Sequence, residues 1–172
     1  MRAIVYNSNT GFSERYAKML SKATGVRSYS MEEARKELPK DAPILYVCWV
    51  MGNALPKVSQ ISRRFYIRAV AAVGLNQGPH AERAIRAQSG LPNSIPLFLL
   101  PGGLKLEKLN MYHRLLLKIV ESKTARQIKK ALRPTDDSLV FLEQLRNGCD
   151  LVDEAHLEDL IDWVKNWKEK KK

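Results

Sequence analysis

The first hundred residues alternate between apolar runs and segments in which apolar positions recur every three or four residues. The apolar runs predict β-strands at residues 3–6, 44–50, 69–73 and 96–100, with a shorter strand at 26–29. The run at 44–50 has no polar alternation, which is typical of a strand that is covered on both faces. We therefore expect helical layers on both sides of a sheet.

The segments between these runs predict helices. In the first of them, Phe12, Tyr16 and Leu20 follow one another at helical spacing, and Gly25 ends the helix. Similar patterns predict helices at 31–38, 58–65, 81–88, 109–122, 136–146 and 154–168. Strands that alternate with helices indicate an α/β fold with a parallel sheet.

Length and composition fit one globular domain. The chain has 172 residues, 45% of them hydrophobic and 27% charged. The longest apolar run, residues 44–51, is far shorter than the roughly 20 residues of a membrane span. The chain opens on a strand, so we expect no signal peptide. Cys48 and Cys149 provide neither a disulfide framework nor the spacing of a metal site. Cys48 lies in an apolar run and is interpreted as a small core residue. This use of cysteine fits a cytoplasmic location.

The formal net charge of +11 is unevenly distributed. Residues 104–133 contain nine Lys or Arg against Glu107 and Glu121, whereas residues 136–162 contain nine Asp or Glu against Arg146 alone. A basic surface favours anionic partners, such as phosphate ligands, nucleic acid or an anionic membrane face. Runs of charge also serve simply as solvated surface, and this reading stays open.

Small polar and flexible residues fill the turn between the first strand and the first helix, residues 8–13. Ligands of open parallel sheets bind at the carboxyl ends of the strands. Hydroxyl, amide and backbone N–H donors at a helix N-terminus bind anions, and Gly11 permits close approach. The turn contains no Lys or Arg, so it predicts a phosphate bound by neutral donors. The alternative is a Ser- and Asn-capped helix that binds nothing.

Three other nucleotide or phosphate motifs are missing from the sequence. It contains neither G-x-x-x-x-G-K-[ST] nor G-x-G-x-x-G, which argues against a P-loop NTPase and a dinucleotide-binding fold. A response-regulator receiver would need acidic residues after the first and third strands. This chain has Asn7, Ser8 and Asn9 after the first, and Cys48 and Trp49 at the other position.

The segment "SNTGFS" resembles the S-x-T-G-x-[ST] phosphate loop of flavodoxins. "VMGNAL" and "VGLNQGP" follow the next two apolar strands, where flavodoxin-like proteins place their flavin-facing loops. The resemblance implies that FMN is bound by three groups of residues. The phosphate would be surrounded by Ser8, Asn9, Thr10, Gly11, Phe12 and Ser13; one side of the flavin would face Met51, Gly52 and Asn53, and the other side Leu75, Asn76, Gln77 and Gly78.

The basic segment "GGLKLEKLNMYHRLLLKIV" indicates a narrower family within the flavodoxin-like proteins. It is similar to the segment after the last strand in the flavodoxin-type, menaquinone-dependent protoporphyrinogen oxidases and their uncharacterised relatives, and the similarity spans roughly residues 2–122. The implied fold is a three-layer sandwich with a five-stranded parallel sheet in the order 2-1-3-4-5 and extra C-terminal helices. We expect one domain, 1–172, with a basic insertion at 103–122 and a helical extension at 134–172.

The function implied is that of an FMN-binding oxidoreductase or electron-transfer protein, in its narrower form a protoporphyrinogen-oxidase-like enzyme with a quinone acceptor. FMN would carry the redox chemistry, so no catalytic side chain or metal is expected. His80, His113 and His156 are isolated in sequence. The expected partners are a redox protein or quinone and an anionic membrane surface contacted peripherally, but not nucleic acid.

Two features leave a second interpretation open. The family usually has Tyr or Trp where this chain has Met51, and strand alternation could point the nearby Trp49 into the core. The alternative is a non-enzymatic module of the same fold that binds another anionic ligand or a protein partner. Bound flavin would distinguish the two by its colour.

Overall fold

The computed structural model describes residues 1–109, 111–131 and 135–167. Their contacts divide the chain into two compact units. Unit 1 consists of Met1–Gly102 with Val152–Lys172, and unit 2 of Gly103–Leu151. The second unit is thus inserted into the first, and its bounds differ from the sequence-based division at residues 122 and 134.

Unit 1 is built on a five-stranded parallel sheet in the order β2-β1-β3-β4-β5. The strands are β1 (Ala3–Asn7), β2 (Ser28–Ser30), β3 (Pro43–Trp49), β4 (Tyr66–Gly74) and β5 (Leu97–Pro101). This arrangement confirms the predicted α/β class and the flavodoxin-like strand order.

In the described part of unit 1, five helices cover the sheet. They are α1 (Phe12–Thr24), α2 (Met31–Glu37), α3 (Val58–Ser62), α4 (Pro79–Ser89) and α7 (Glu158–Asn166), the last preceded by a 3₁₀ turn at Glu154–Leu157. The side chains of α1 and α7 pack with Leu45 and Val47 on one face. Those of α2, α3 and α4 pack with Tyr46 and Cys48 on the other. Unit 1 is therefore a three-layer sandwich, and α7 belongs to the same helical layer as α1.

The described residues of unit 2 form two helices and a short β-ladder. Helix α5 (Met111–Lys130) contacts α6 (Asp136–Asn147), and β6 (Gly103–Leu104) pairs antiparallel with β7 (Cys149–Asp150). The ladder joins the two ends of the unit, because Gly103 lies opposite Asp150 and Leu104 opposite Cys149.

Several element bounds differ from the sequence predictions. The helix expected at 109–122 begins at Met111 and continues to Lys130, and the one expected at 154–168 is a 3₁₀ turn followed by α7; residue 168 lies outside the described residues. β4 starts at Tyr66 rather than at 69, and the ladder of unit 2 was not predicted. In the parts of the chain that the structure describes, no helix has the length and apolar character needed to cross a membrane.

Candidate functional site

The three predicted loops lie at one edge of the sheet. They follow the carboxyl ends of β1, β3 and β4, which are neighbours, and all strands run in the same direction. The order of strands reverses between β1 and β3, since β2 flanks β1 on the other side. This switch point is where open α/β sheets bind ligands. The loops at 8–13 and 51–53 follow the two strands that flank it.

The turn at 8–13 has a defined internal structure. Gly11 is the N-cap of α1 and has a φ of +97°, a left-handed conformation that disfavours other residues. The backbone N–H of Gly11 donates to Ser8 Oγ at 3.0 Å, which closes the turn. A Cβ added at Gly11 would meet no atom within 4 Å, so open space lies beside the glycine. The backbone of the turn is therefore held in a defined conformation, and the space beside Gly11 is open.

Ser13 is the unusual residue of this turn. It is 1% exposed, and its hydroxyl oxygen has no hydrogen-bond partner among the described residues. A buried hydroxyl without a partner costs about 1–3 kcal/mol, so native structures rarely keep one without a reason. Ser13 lies in the first turn of α1, where backbone N–H groups lack intrahelical acceptors. An acceptor at this helix end would satisfy both kinds of donor.

The loop after β3 is a tight turn. Met51 and Ala54 exchange two backbone hydrogen bonds of 3.0 Å, and Gly52 between them has a φ of +63°. The side chain of Met51 is exposed, as are Gly52 and Asn53. Trp49, at the end of β3, is half-buried and shares the sheet face of Leu45 and Val47 by strand alternation. An exposed thioether thus stands where the flavodoxin resemblance places an aromatic ring.

The loop after β4 leads into α4. Gly78 is the N-cap of that helix and has a φ of +90°, and Pro79 follows at the first helical position, where its missing N–H is not needed. The amide nitrogen of Gln77 donates to the Gly74 carbonyl oxygen at 3.0 Å. Gln77 therefore closes its own loop. Leu75 is half-buried, and Asn76 is exposed.

Contacts between elements hold these loops in place. The Tyr46 hydroxyl donates to the Pro56 carbonyl oxygen at 2.8 Å, and the Asn7 side-chain amide contacts the same oxygen at 3.5 Å. The Leu55 N–H donates to Ser89 Oγ at 2.9 Å. The loop after β3 is thereby tied to β1, to its own strand and to the end of α4. No sequence pattern indicated a positioning role for Asn7, Tyr46 or Ser89, because these contacts join residues distant in sequence.

The backbone of Gly102, directly after β5, packs closely against the end of β4. The Gly102 N–H donates to the Gly74 carbonyl oxygen at 2.9 Å. A Cβ at Gly102 would lie 2.9 Å from Val73 Cγ1, a distance that real Cβ atoms do not tolerate. The glycine after β5 is therefore required for packing, which the "PGG" sequence alone did not reveal.

A buried phenol links α1 to β5 and to the turn before α7. The Tyr16 hydroxyl donates to the Pro101 carbonyl oxygen at 2.7 Å, lies 3.2 Å from His156 Nδ1 and is 3.4 Å from the Asp153 backbone nitrogen. Tyr16 has one hydroxyl proton, so Nδ1 of His156 carries the hydrogen if that pair is bonded. The structure brings together residues 140 positions apart, so His156, isolated in sequence, has a partner in the fold.

The ionisable core residues near the site are held neutral. Burial raises the pKa of the Cys48 thiol and of the Tyr46 phenol well above their ordinary values. A thiol with a raised pKa is a poor nucleophile, so Cys48 is a core residue, as its sequence context indicates. At this edge of the sheet, neutral donors and a helix N-terminus are available to bind an anion. The described residues include no group of His, Cys, Asp or Glu arranged to hold a metal.

The chain was compared with protein-family models and with curated proteins, and it matches none of them.

Proposed function

We propose that this protein binds FMN at the carboxyl edge of its sheet and acts as a flavodoxin-like oxidoreductase or electron-transfer protein. The observation that carries the proposal is the turn at 8–13. It lies at the switch point of a 2-1-3-4-5 sheet, its glycine is preset in a left-handed conformation, and it contains a buried serine hydroxyl without a partner.

The residues present fit a phosphate. A phosphate offers several acceptor oxygens, and the first turn of α1 offers backbone N–H groups and the positive end of the helix dipole. Ser13 Oγ would gain the acceptor that it lacks by rotating about its Cα–Cβ bond, and the Thr10 hydroxyl adds another donor. The open space beside Gly11 leaves room for the ligand.

The neighbouring loops suit the rest of the cofactor. The turn at 51–53 and the loop at 75–78 follow strands that are adjacent in the sheet, so they lie on the same edge as the phosphate turn. The exposed thioether of Met51 is a favourable contact for an aromatic ring. When bound, FMN would supply the redox chemistry, and this chain would supply binding, orientation and exclusion of water.

Charge supports the narrower form of the proposal. Electron carriers that dock on basic partners need an acidic surface, whereas this chain has a net charge of +11. A basic protein favours anionic substrates and anionic surfaces. Porphyrinogens carry carboxylates and quinones reside in membranes, so a protoporphyrinogen-oxidase-like reaction with a quinone acceptor agrees with the charge. An assay of protoporphyrinogen oxidation with a quinone acceptor, with and without anionic lipid, tests this form.

The binding experiment is a titration of the purified protein with FMN, followed by flavin fluorescence and absorption. We expect saturable binding to the wild-type protein. The double variant Thr10→Val, Gly11→Ala loses a hydroxyl donor and the left-handed glycine, and we expect affinity to fall about ten-fold or more, which is the size of a lost hydrogen bond to a charged group.

Gly25→Ala is the matched control. Gly25 has a φ of +72° at the opposite end of the same helix, so its replacement introduces comparable backbone strain away from the turn. We expect FMN affinity to remain at the wild-type value. Equal affinity of the double variant and the wild type would refute the phosphate assignment. A colourless protein that does not respond to FMN would favour the non-enzymatic binding module.

A further inference from the structure

We propose that one side of α5 docks on an anionic lipid surface, with its N-terminal half inserted among the lipids and its C-terminal half against the headgroups. This inference rests on unit 2 alone, and it does not depend on FMN binding.

The first observation is the distribution of exposed apolar side chains. Among the described residues, large hydrophobic side chains that are exposed lie mostly in unit 2. Those of α5 are Met111, Tyr112, Leu115, Ile119 and Val120. Met111, Leu115 and Ile119 follow one another at intervals of four residues, so they form one stripe along the N-terminal half of the helix. Exposed stripes of this kind mark interaction sites.

The second observation is the charge that continues the stripe. The C-terminal half of α5 carries exposed basic side chains at Lys123, Arg126, Lys129 and Lys130. Because 11 residues complete about three helical turns, Arg126 lies on the same side as Leu115, and Lys130 on the same side as Ile119. One outward side of the helix is therefore mainly apolar in its N-terminal half, where the exposed Lys118 adds one positive charge, and basic in its C-terminal half.

The opposite side of α5 is already occupied. Its half-buried positions recur at helical spacing and include Leu117, Glu121 and Ile128. α6 packs against α5, and the Arg146 guanidinium Nε donates to Glu121 Oε1 at 2.8 Å. The acidic residue of the helix is thus neutralised on the inner side. The outward side presents apolar groups and positive charge without a compensating carboxylate of its own.

An anionic lipid surface fits this combination better than a second copy of the chain does. A parallel pair of α5 helices would place basic halves together, and an antiparallel pair would place the apolar half of each against the charged half of the other. A membrane provides an apolar layer beneath a layer of negative charge. Tyr112, an exposed amphipathic ring beside the stripe, is a residue type enriched at membrane interfaces.

The test uses the full chain and sedimentation with vesicles at low ionic strength. One set of vesicles is phosphatidylcholine with phosphatidylglycerol in equal parts, and the other is phosphatidylcholine alone. We expect the protein to sediment with the anionic vesicles, to bind the neutral vesicles at least ten-fold more weakly, and to be released by salt, since each basic side chain contributes about five-fold.

Two variants separate the apolar and basic contributions. Leu115→Ser, Ile119→Ser removes the centre of the stripe, and we expect partition onto anionic vesicles to fall roughly ten-fold or more. Lys129→Gln, Lys130→Gln removes two charges and should weaken partition about 25-fold, which is about five-fold for each charge. The replaced side chains are exposed, so the fold should be retained, and circular dichroism checks this.

The matched control is Leu139→Ser, Val140→Ser on α6. These side chains are 46% and 51% exposed, against 60% and 45% for Leu115 and Ile119. The charged residues that closely precede them in sequence are Asp136 and Asp137 instead of lysines. We expect wild-type binding. The proposal is overturned if the wild-type protein ignores anionic vesicles, or if the control loses binding as strongly as the α5 variant. It is also overturned if the α5 variant changes only the oligomeric state, seen by sedimentation velocity.

Discussion

At the scale of single residues, two buried ionisable groups face the same side of β3. Tyr46 and Cys48 lie in the core between the sheet and the helices α2, α3 and α4. Burial raises the pKa of both groups because the charged forms lose hydration. Both are therefore neutral in the folded protein at pH values where the unfolded chain begins to ionise.

This burial predicts a loss of stability at alkaline pH. The stability that these groups contribute is complete below their unfolded pKa values, and it declines as the pH rises toward the folded values. Above about pH 10 the unfolded state binds fewer protons than the folded state, so the free energy of unfolding falls by about 1.4 kcal/mol per pH unit for each group. Urea unfolding as a function of pH measures the slope.

Replacement of either group should flatten this dependence. Tyr46→Phe and Cys48→Ala each remove one ionisation, whereas Tyr66→Phe replaces an exposed phenol and serves as the control. We expect a shallower alkaline slope for the first two and the wild-type slope for the third. A free energy of unfolding that stays level through this pH range would contradict the interpretation.

At the scale of elements, the last helix belongs to the core of the sandwich. Leu157, Leu160 and Val164 are buried against α1 and the central strands. The polar residues of α7 lie outward, which gives the helix its single apolar face. The helix therefore closes the layer that α1 begins, although residues 102–157 separate it from β5.

We expect Leu160→Ala to lower the free energy of unfolding by about 2–5 kcal/mol, because it leaves a cavity beneath α7. Asp162→Ala, on the exposed side of the same helix, should change it by less than about 0.5 kcal/mol. Chemical denaturation of the two variants measures both values. If the two variants were equally stable, α7 would not be part of the core.

The sheet was predictable because each covered strand is a continuous apolar run. The predicted bounds were less accurate where a strand or helix extends beyond its apolar pattern. Tyr66 and Arg68 are exposed at the start of β4, so they lie outside the apolar run that marks the strand. The second half of α5 is rich in outward-facing basic residues, and it has too few apolar positions to extend the predicted helix.

The candidate site was predictable in its loops but not in its contacts. The turn at 8–13 is a local motif, and its glycine and serines are legible in the sequence. The links from Tyr46 to Pro56, from Leu55 to Ser89 and from Tyr16 to His156 depend on the fold. No local pattern encodes such pairs, since each joins side chains that only the packed layers bring together.

At the scale of the whole molecule, a second unit is inserted between β5 and the turn before α7. The paired strands β6 and β7 bring the two ends of the insertion side by side, at the spacing of neighbouring strands of about 5 Å. All residues of the candidate FMN site belong to unit 1, and all residues of the proposed lipid-binding surface belong to unit 2.

This division predicts that residues 103–151 can be replaced by a short Gly/Ser linker. We expect unit 1 to unfold cooperatively and to bind FMN as the full chain does, because its sheet and covering helices are complete without the insertion. Vesicle binding should be lost. Circular dichroism, the FMN titration and vesicle sedimentation report these three results, and a shortened chain that fails to fold would show that the units depend on each other.

The most direct test of the central claim is a crystal structure of the protein grown with excess FMN. We expect the phosphate at the N-terminus of α1, within hydrogen-bonding distance of backbone N–H groups of the turn and of the Thr10 and Ser13 hydroxyls. A structure in which the flavin lies elsewhere, or in which protein side chains fill the turn at 8–13, would contradict the account.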